Sequence, residues 1–470
     1  METRVEMDSI GTREVPVDAY YGVQSLRAKE NFQITGNQMN PSFIRNLARI
    51  KKAAALTNRK AQTLSPKIAE AICKACDEVI DGELSDQFIV DAVQGGAGTS
   101  ANMNMNEVIA NRACEILGGK KGDYSLVHPN DHVNMAQSTN DVIPTAGKLT
   151  CLDLVQPLTS ELRRLCLALY AKADAFDDVL KMGRTQLQDA VPMRLGQSFH
   201  AYAVMVGRDI RRIEEASCAM QTVNLGGTAI GSAINTTPVY LSEIVPTLSR
   251  ITGYPLHQAS DLFDATENLD AFVALSGAVK TCALDLSKMC NDLRLLSSGP
   301  KCGLAEIHLP AKQNGSSIMP GKVNPVIPEV VTQVAFLVAG HDTTISMAAE
   351  AGQMELNAFE PVLFYNMFES LSAMTGAVTT LIDNCITGIT ADRERCRDLC
   401  EHSAGVATAL SPRLGYQKSA EIAKRAVKEN RSVREICLSE SLLTAEELDT
   451  LLDPYAMTEP AAPTAEDVAV

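Results

Sequence analysis

The chain has 470 residues, 46% hydrophobic and 21% charged, enough for a large core in two or three domains or one elongated one, and against global disorder. Aromatic residues make up only 4% and tryptophan is absent, which suits packed helices better than a β-sandwich. The net charge is -15, and no basic cluster is free of acids ("RRIEE", "ADRERCRD"), so nucleic acid and an anionic membrane surface are poor partners. A small anionic substrate in a locally positive pocket remains compatible with that charge.

Along the chain, "METRVEMDSIGTREVP" lacks the apolar core of a signal peptide. No stretch approaches the roughly 18 uncharged apolar residues of a membrane helix. The 13 cysteines are scattered without framework spacing, as free thiols in a reducing cytosol would be, so a cytoplasmic location is expected. "GTREVPVDAYYG" reads as turn-rich, and shorter helices follow over 43–60 and 66–80. Cys73 and Cys76 form a CxxC inside the periodic "AEAICKACDEVI", with no second pair or nearby histidine, so packing is the better reading than metal or redox chemistry. "QGGAGTSANMNMNEVIANRACEIL" is a glycine turn feeding a helix.

Five long helices come next. A stripe of Leu158, Leu162, Leu165, Leu169, Ala173 and Phe176 marks the helix that follows Asp141, and others read over about 194–222, 327–350 and 361–384. In 269–298, Phe272, Leu275, Val279, Cys282, Leu286, Met289, Leu293 and Leu296 are spaced 3,4,3,4,3,4,3. That is a coiled-coil-like seam roughly 37 Å long. The expected fold is mainly α: a mixed, mostly helical domain over 1–140, an elongated five-helix bundle over 141–393, and a small helical domain of short charged helices ("SVREICLSES", "TAEELDTLLDP") over 394–470. The closing "TEPAAPTAEDVAV" is expected to fray. The wide apolar faces ask for more helices than one chain supplies.

Four segments are polar or glycine-broken where the helical pattern calls for apolar residues: Gln94–Asn106, Asn134–Asp141 ("NMAQSTND"), Gly183–Pro192 ("GRTQLQDAVP") and 315–331 ("GSSIMPGKVNPVIPEVV"). All seven histidines lie outside them, only His132 bordering one, so a metal centre and a Ser-His-Asp triad lack their parts. Each has a bland reading. "GGAGTS" lacks the lysine of a P-loop, "QSTND" alone is a helix cap, and "RTQLQDA" alone is a surface turn. Together, their hydroxyl and amide donors at helix ends describe a pocket for a small carboxylate.

The eleven residues "GSSIMPGKVNP" resemble the signature loop of the aspartase/fumarase superfamily. "GGAGTSANMNMNEV", "QSTND" and "GRTQLQDAVP" resemble its other three substrate-contacting regions, in the same order, and the similarity runs from "GTREVPVDAYYGV" to "LLTAEELD". Within the superfamily, "AYYG", "QSTND" and "LQDAVP" resemble the branch that deaminates L-aspartate more than the class II fumarases.

That resemblance implies reversible conversion of L-aspartate to fumarate and ammonia. No cofactor is required, and a divalent cation such as Mg²⁺ is a candidate modulator only. It assigns Ser316 as the base, acting as an alkoxide, with Ser317 the rival that sequence leaves open. Lys322 supplies the electropositive surroundings and, with Asn324, holds the α-carboxylate. Thr99, Ser138, Thr139 and Thr185 surround the β-carboxylate, and Asn140 lies near the amino group or a carboxylate. Gln186 stands where many members carry histidine. It cannot carry a proton, which an ammonia-lyase tolerates better than a hydratase does. The resemblance also implies a homotetramer with a core of about twenty helices, each site drawing on three chains. The alternatives are a class II fumarase, a non-catalytic helical scaffold of this fold, and a nucleotide-binding module built on "GGAGT".

Overall fold

The computed structural model describes residues 2–459, so the expected fraying of "TEPAAPTAEDVAV" lies outside the described residues from Pro460 on. The chain is mainly helical and forms two compact units. The first holds residues up to Ser160, Asp209–Ala283 and Ala335–Thr375; the second holds Glu161–Arg208, Leu284–Val334 and the chain from Gly376 on.

The first unit opens on an antiparallel hairpin of β1 (Thr3–Asp8) and β2 (Gly11–Pro16), in register from Thr3↔Pro16 to Asp8↔Gly11. This corrects the turn expected over "GTREVP". Each strand buries one side chain, Glu6 or Val15, too little for alternation to register in the sequence. Helices α1 (Val23–Asn31), α2 (Pro41–Lys60), α3 (Pro66–Ile80) and α4 (Thr99–Ile116) follow. Asn40 and Ser65 cap α2 and α3, each with proline at the first helical position, so both begin within two residues of the sequence reading.

The expected long helices are α5 (Thr139–Ala175), α6 (Leu195–Ser217), α9 (Asp270–Leu296), α10 (Val326–Glu350) and α11 (Glu360–Asn384), and each contributes residues to both units. Between α5 and α6 lies the hairpin β3 (Leu180–Thr185) and β4 (Gln188–Arg194). After α6 come a two-residue parallel pair, β5 (Thr222–Val223) and β6 (His257–Gln258), and two helices the sequence reading passed over, α7 (Pro238–Thr252) and α8 (Asp264–Glu267). Pro246 interrupts the α7 pattern, yet Thr237 caps its start and Gly253 its end.

In the first unit the α9 seam buries Phe272, Leu275, Val279 and Cys282, and Phe272 and Phe43 pack on the stacked pair Phe364 and Phe368. In the second, Leu286, Met289 and Leu293 continue the seam and Phe176 meets Phe199 edge-on. The second unit ends in a short pair, β7 (Ile307–His308) with β8 (Thr390–Ala391), and in α12 (Arg393–Glu401), α13 (Ser411–Leu414), α14 (Tyr416–Glu429), α15 (Val433–Ser439) and α16 (Ala445–Leu451). Capping boxes at Ser432/Glu435 and Thr444/Glu447 set the starts of α15 and α16. Among the described residues no helix is long and apolar enough to cross a membrane.

Candidate active site

In the first unit, Thr99 opens α4 behind a turn in which Gly96, Ala97 and Gly98 all have positive φ. A side chain at Gly98 would collide with Ile143, 2.9 Å away, so the turn admits only glycine there. Gln94 Oε1 accepts the Ala101 N–H at 2.8 Å and thereby caps the helix. Thr99 itself is exposed at the helix N-terminus, where backbone dipoles favour an anion.

The asparagines of "NMNMN" point inward. Lys51, fully buried on α2, donates to Asn102 Oδ1 (2.7 Å), Asn134 Oδ1 (2.9 Å) and Gln137 Oε1 (3.0 Å). Three ammonium hydrogens thus meet three amide oxygens, which fixes the way those amides face. Asn102 Nδ2 is left to donate to Thr139 Oγ1 at 3.3 Å. Burial pushes the Lys51 ammonium down to about 7, against the opposing pull of the Asp141 carboxylate. Ser138, Thr139 and Asn140 are half-buried on the turn into α5, with Ser138 Oγ accepting the Asn140 N–H. The structure brings these three together and ties them to α4 through Asn102 and Asn134.

In the second unit, Thr185 and Gln186 lie exposed at the tip of the β3–β4 hairpin. Its two-residue turn has positive φ at Gln186 (53°) and Leu187 (61°), a type I′ geometry that ordinarily calls for Asn-Gly. Such strain persists where the surroundings hold it, and tends to gather at functional sites. Here Arg184 binds the buried Glu306 and Ser403 Oγ donates to Asp189 at 2.7 Å.

The loop before α10, also in the second unit, is pinched at its neck. Gly315 N–H donates to Lys322 O (2.8 Å) and Asn324 Nδ2 donates to Gly315 O (2.8 Å). A side chain at Gly315 would strike Lys322 O at 2.7 Å, so only glycine closes the neck. Within it, Ser316 Oγ accepts the N–H groups of Ile318 (3.2 Å) and Met319 (3.0 Å). Ser317 and Lys322 are exposed, and Ile318 at the tip is 84% exposed.

The sequence reading missed Lys51, Asp141, Arg184 and Glu306. A signal for Lys51 existed: it falls on the apolar face of α2, among Leu47, Ala54 and Ala55.

The chain matches the family model described as Lyase over residues 11–340 and that described as Fumarase C C-terminus over 406–459. It therefore belongs to the lyase family of the aspartase/fumarase superfamily, and the resemblance read from four short motifs holds over nearly its whole length. It is 51% identical to an aspartate ammonia-lyase of Bacillus subtilis (strain 168), over 98% of this chain and 97% of that one. To an aspartate ammonia-lyase of Escherichia coli (strain K12) it is 49% identical, over 97% and 96%. A fumarate lyase:delta crystallin from Brucella melitensis bound to cobalt superposes with a TM-score of 0.95 at 51% identity, covering 98% of this chain and all of that one. A recombinant class II fumarase from Schistosoma mansoni gives the same TM-score and coverage at 35% identity.

Proposed function

We propose that the chain is an aspartate ammonia-lyase, converting L-aspartate reversibly to fumarate and ammonia with Ser316 as the base. The observation that carries this reading is the pair of backbone N–H groups on Ser316 Oγ inside a neck that also presents Lys322. A serine hydroxyl is far too weak an acid to ionise in water, and an oxygen already accepting two N–H bonds is one whose alkoxide is stabilised. Near-full-length relatives at about half identity carry this activity in their names, whereas the class II fumarase is more distant.

The Ser316 alkoxide takes the proton from the carbon beside the β-carboxylate, and the electron pair passes into that carboxylate as an aci-carboxylate. Donors pre-aimed there, Thr99, Ser138, Thr139 and Thr185, stabilise the charge as it develops. Collapse forms the carbon–carbon double bond and breaks the carbon–nitrogen bond, so the amine leaves as ammonia. Lys322 and Asn324 hold the α-carboxylate. Gln186 offers no proton, which suits a substrate whose amino group is already protonated and so leaves as neutral ammonia without an added acid.

The site is assembled from three chains of a homotetramer: Thr99 and Ser138–Asn140 from one, Thr185 and Gln186 from a second, the 315–325 loop from a third. Apolar side chains left uncovered on the long helices support this, Leu167 at 70% exposed on α5, and Phe336 (66%) and Met347 (67%) on α10. The test is absorbance loss from fumarate with and without ammonium. Consumption only with ammonium is expected; consumption without it makes the chain a hydratase. Lys322→Met raises KM for aspartate steeply, and an unchanged KM removes Lys322 from the site.

A further inference from the structure

Behind Ser138–Asn140 lies a buried carboxylate for which the mechanism has no use. Asp141 Oδ1 accepts the Ser138 N–H at 2.9 Å, the ordinary return half of a helix-capping arrangement. Its second oxygen does something a cap does not require. Oδ2 accepts the N–H groups of Gly226 (2.9 Å) and Thr228 (3.2 Å) from a loop that follows β5.

That loop is bonded to the same turn twice more. Asn140 Nδ2 donates to Ala229 O (2.8 Å), and Asn224 Nδ2 donates to Asn140 O (3.0 Å). The loop conformation is costly. Thr228 is β-branched yet has φ +57°, and its buried Oγ1 has no hydrogen-bond partner among the described residues. A left-handed threonine with an unsatisfied hydroxyl persists only where its neighbours impose it, and the Thr228 N–H bond to Asp141 is one such constraint. The side chains that meet substrate are thus held from behind by a strained loop and one carboxylate.

We infer that Asp141 is a positioning residue for the lyase reaction, fixing Ser138, Thr139 and Asn140 by bolting their turn to the Gly226–Ala229 loop. Burial pushes its carboxyl up, while the three N–H bonds and Lys51 oppose that shift. The inference rests on the aspartate–fumarate reading for its kinetic part alone.

The test uses the whole enzyme and Asp141→Asn, nearly the same shape but neutral: whichever way the amide turns, either Ser138 or the Gly226 and Thr228 pair faces a donor, and the bonds that remain lose their charged acceptor. Misplacing the β-carboxylate donors lowers kcat by about 100-fold. It also makes C–H cleavage more rate-limiting, so the isotope effect with L-aspartate deuterated at carbon 3 increases. Loss of folded enzyme would lower kcat and leave the isotope effect where it was. Amide exchange, measured without ligand, accelerates in both 137–142 and 224–231. A kcat within about threefold of wild type, an unchanged isotope effect, or faster exchange in 137–142 alone overturns the inference. Should Asp141→Asn fail to fold, Asn224→Ala weakens the same connection and is judged by the same three readings. A wild type inert towards aspartate refutes the proposed reaction instead, and exchange alone then decides the connection.

Discussion

Arg184 places Nη1 3.0 and 2.9 Å from the two carboxylate oxygens of Glu306, whose side chain is fully buried. Lys181 Nζ approaches the same carboxylate at 3.7 Å, its ammonium drawn down by burial and pulled back up by Glu306. One buried anion therefore anchors the strand that ends at Thr185. Arg184→Met leaves that anion with a single distant cation and costs about 3–5 kcal/mol in chemical denaturation. A loss below about 1 kcal/mol would mean that Lys181 neutralises Glu306 alone.

The two serines of the 315–325 loop are separated by their surroundings. Ser316 Oγ is held by two N–H groups, whereas Ser317 is exposed, and its side chain takes part in no hydrogen bond recorded among the described residues. Ser316→Ala removes the proposed base and lowers turnover by about 1000-fold or more, with the thermal midpoint little changed because a loop hydroxyl supports no core. Ser317→Ala is far milder. Steady-state rates for both variants check the assignment, and a reversed order transfers the role to Ser317.

Lys51 makes stability depend on pH with a definite sign. Its pKa falls from 10.5 in the unfolded chain to about 7 when buried, so between those values the folded chain binds fewer protons than the unfolded one. Stability from this group therefore rises with pH across that window, by up to about 1.4 kcal/mol per unit, and is flat below it. One opposing effect is local: a neutral amine has two hydrogens for the three amide oxygens of Asn102, Asn134 and Gln137. Thermal midpoints from pH 7 to 9.5 check the sign. Wild type gains on Lys51→Met as pH rises, and a constant gap would show that the ammonium keeps its proton.

Long-range order was legible in the sequence where burial repeats along one helix face. The α9 seam is buried from Phe272 to Leu293, with Leu296 half-buried at its end, and the α5 stripe is buried from Leu158 to Phe176. The site motifs were legible as interruptions of that repeat: Thr99 and Ser138–Asn140 fall at helix starts, as donor-rich segments do. What was not legible depends on pairing between distant segments. Nothing near Asp141 announces Gly226, nor does anything near Arg184 announce Glu306, about 120 residues on. The I′ turn at Gln186–Leu187 was hidden because neither residue favours positive φ.

Thr185 and Gln186 are exposed on their hairpin, Thr99 is exposed at its helix start, and Lys322 is exposed on its loop. Aspartate elimination needs such donors converged in a dry pocket, and in the proposed tetramer other chains complete it. Two inactive variants, Thr185→Val and Ser316→Ala, then complement one another. When equal amounts are unfolded together and reassembled, each site draws its hairpin and its loop from independent chains, and about a quarter of sites carry both native residues. Activity near a quarter of wild type is expected from the mixture and none from either variant refolded alone. If one chain supplied both residues, every site in every mixed tetramer would lack one of them. Tetramers shown by mass to be mixed, and still inactive, would refute the shared site.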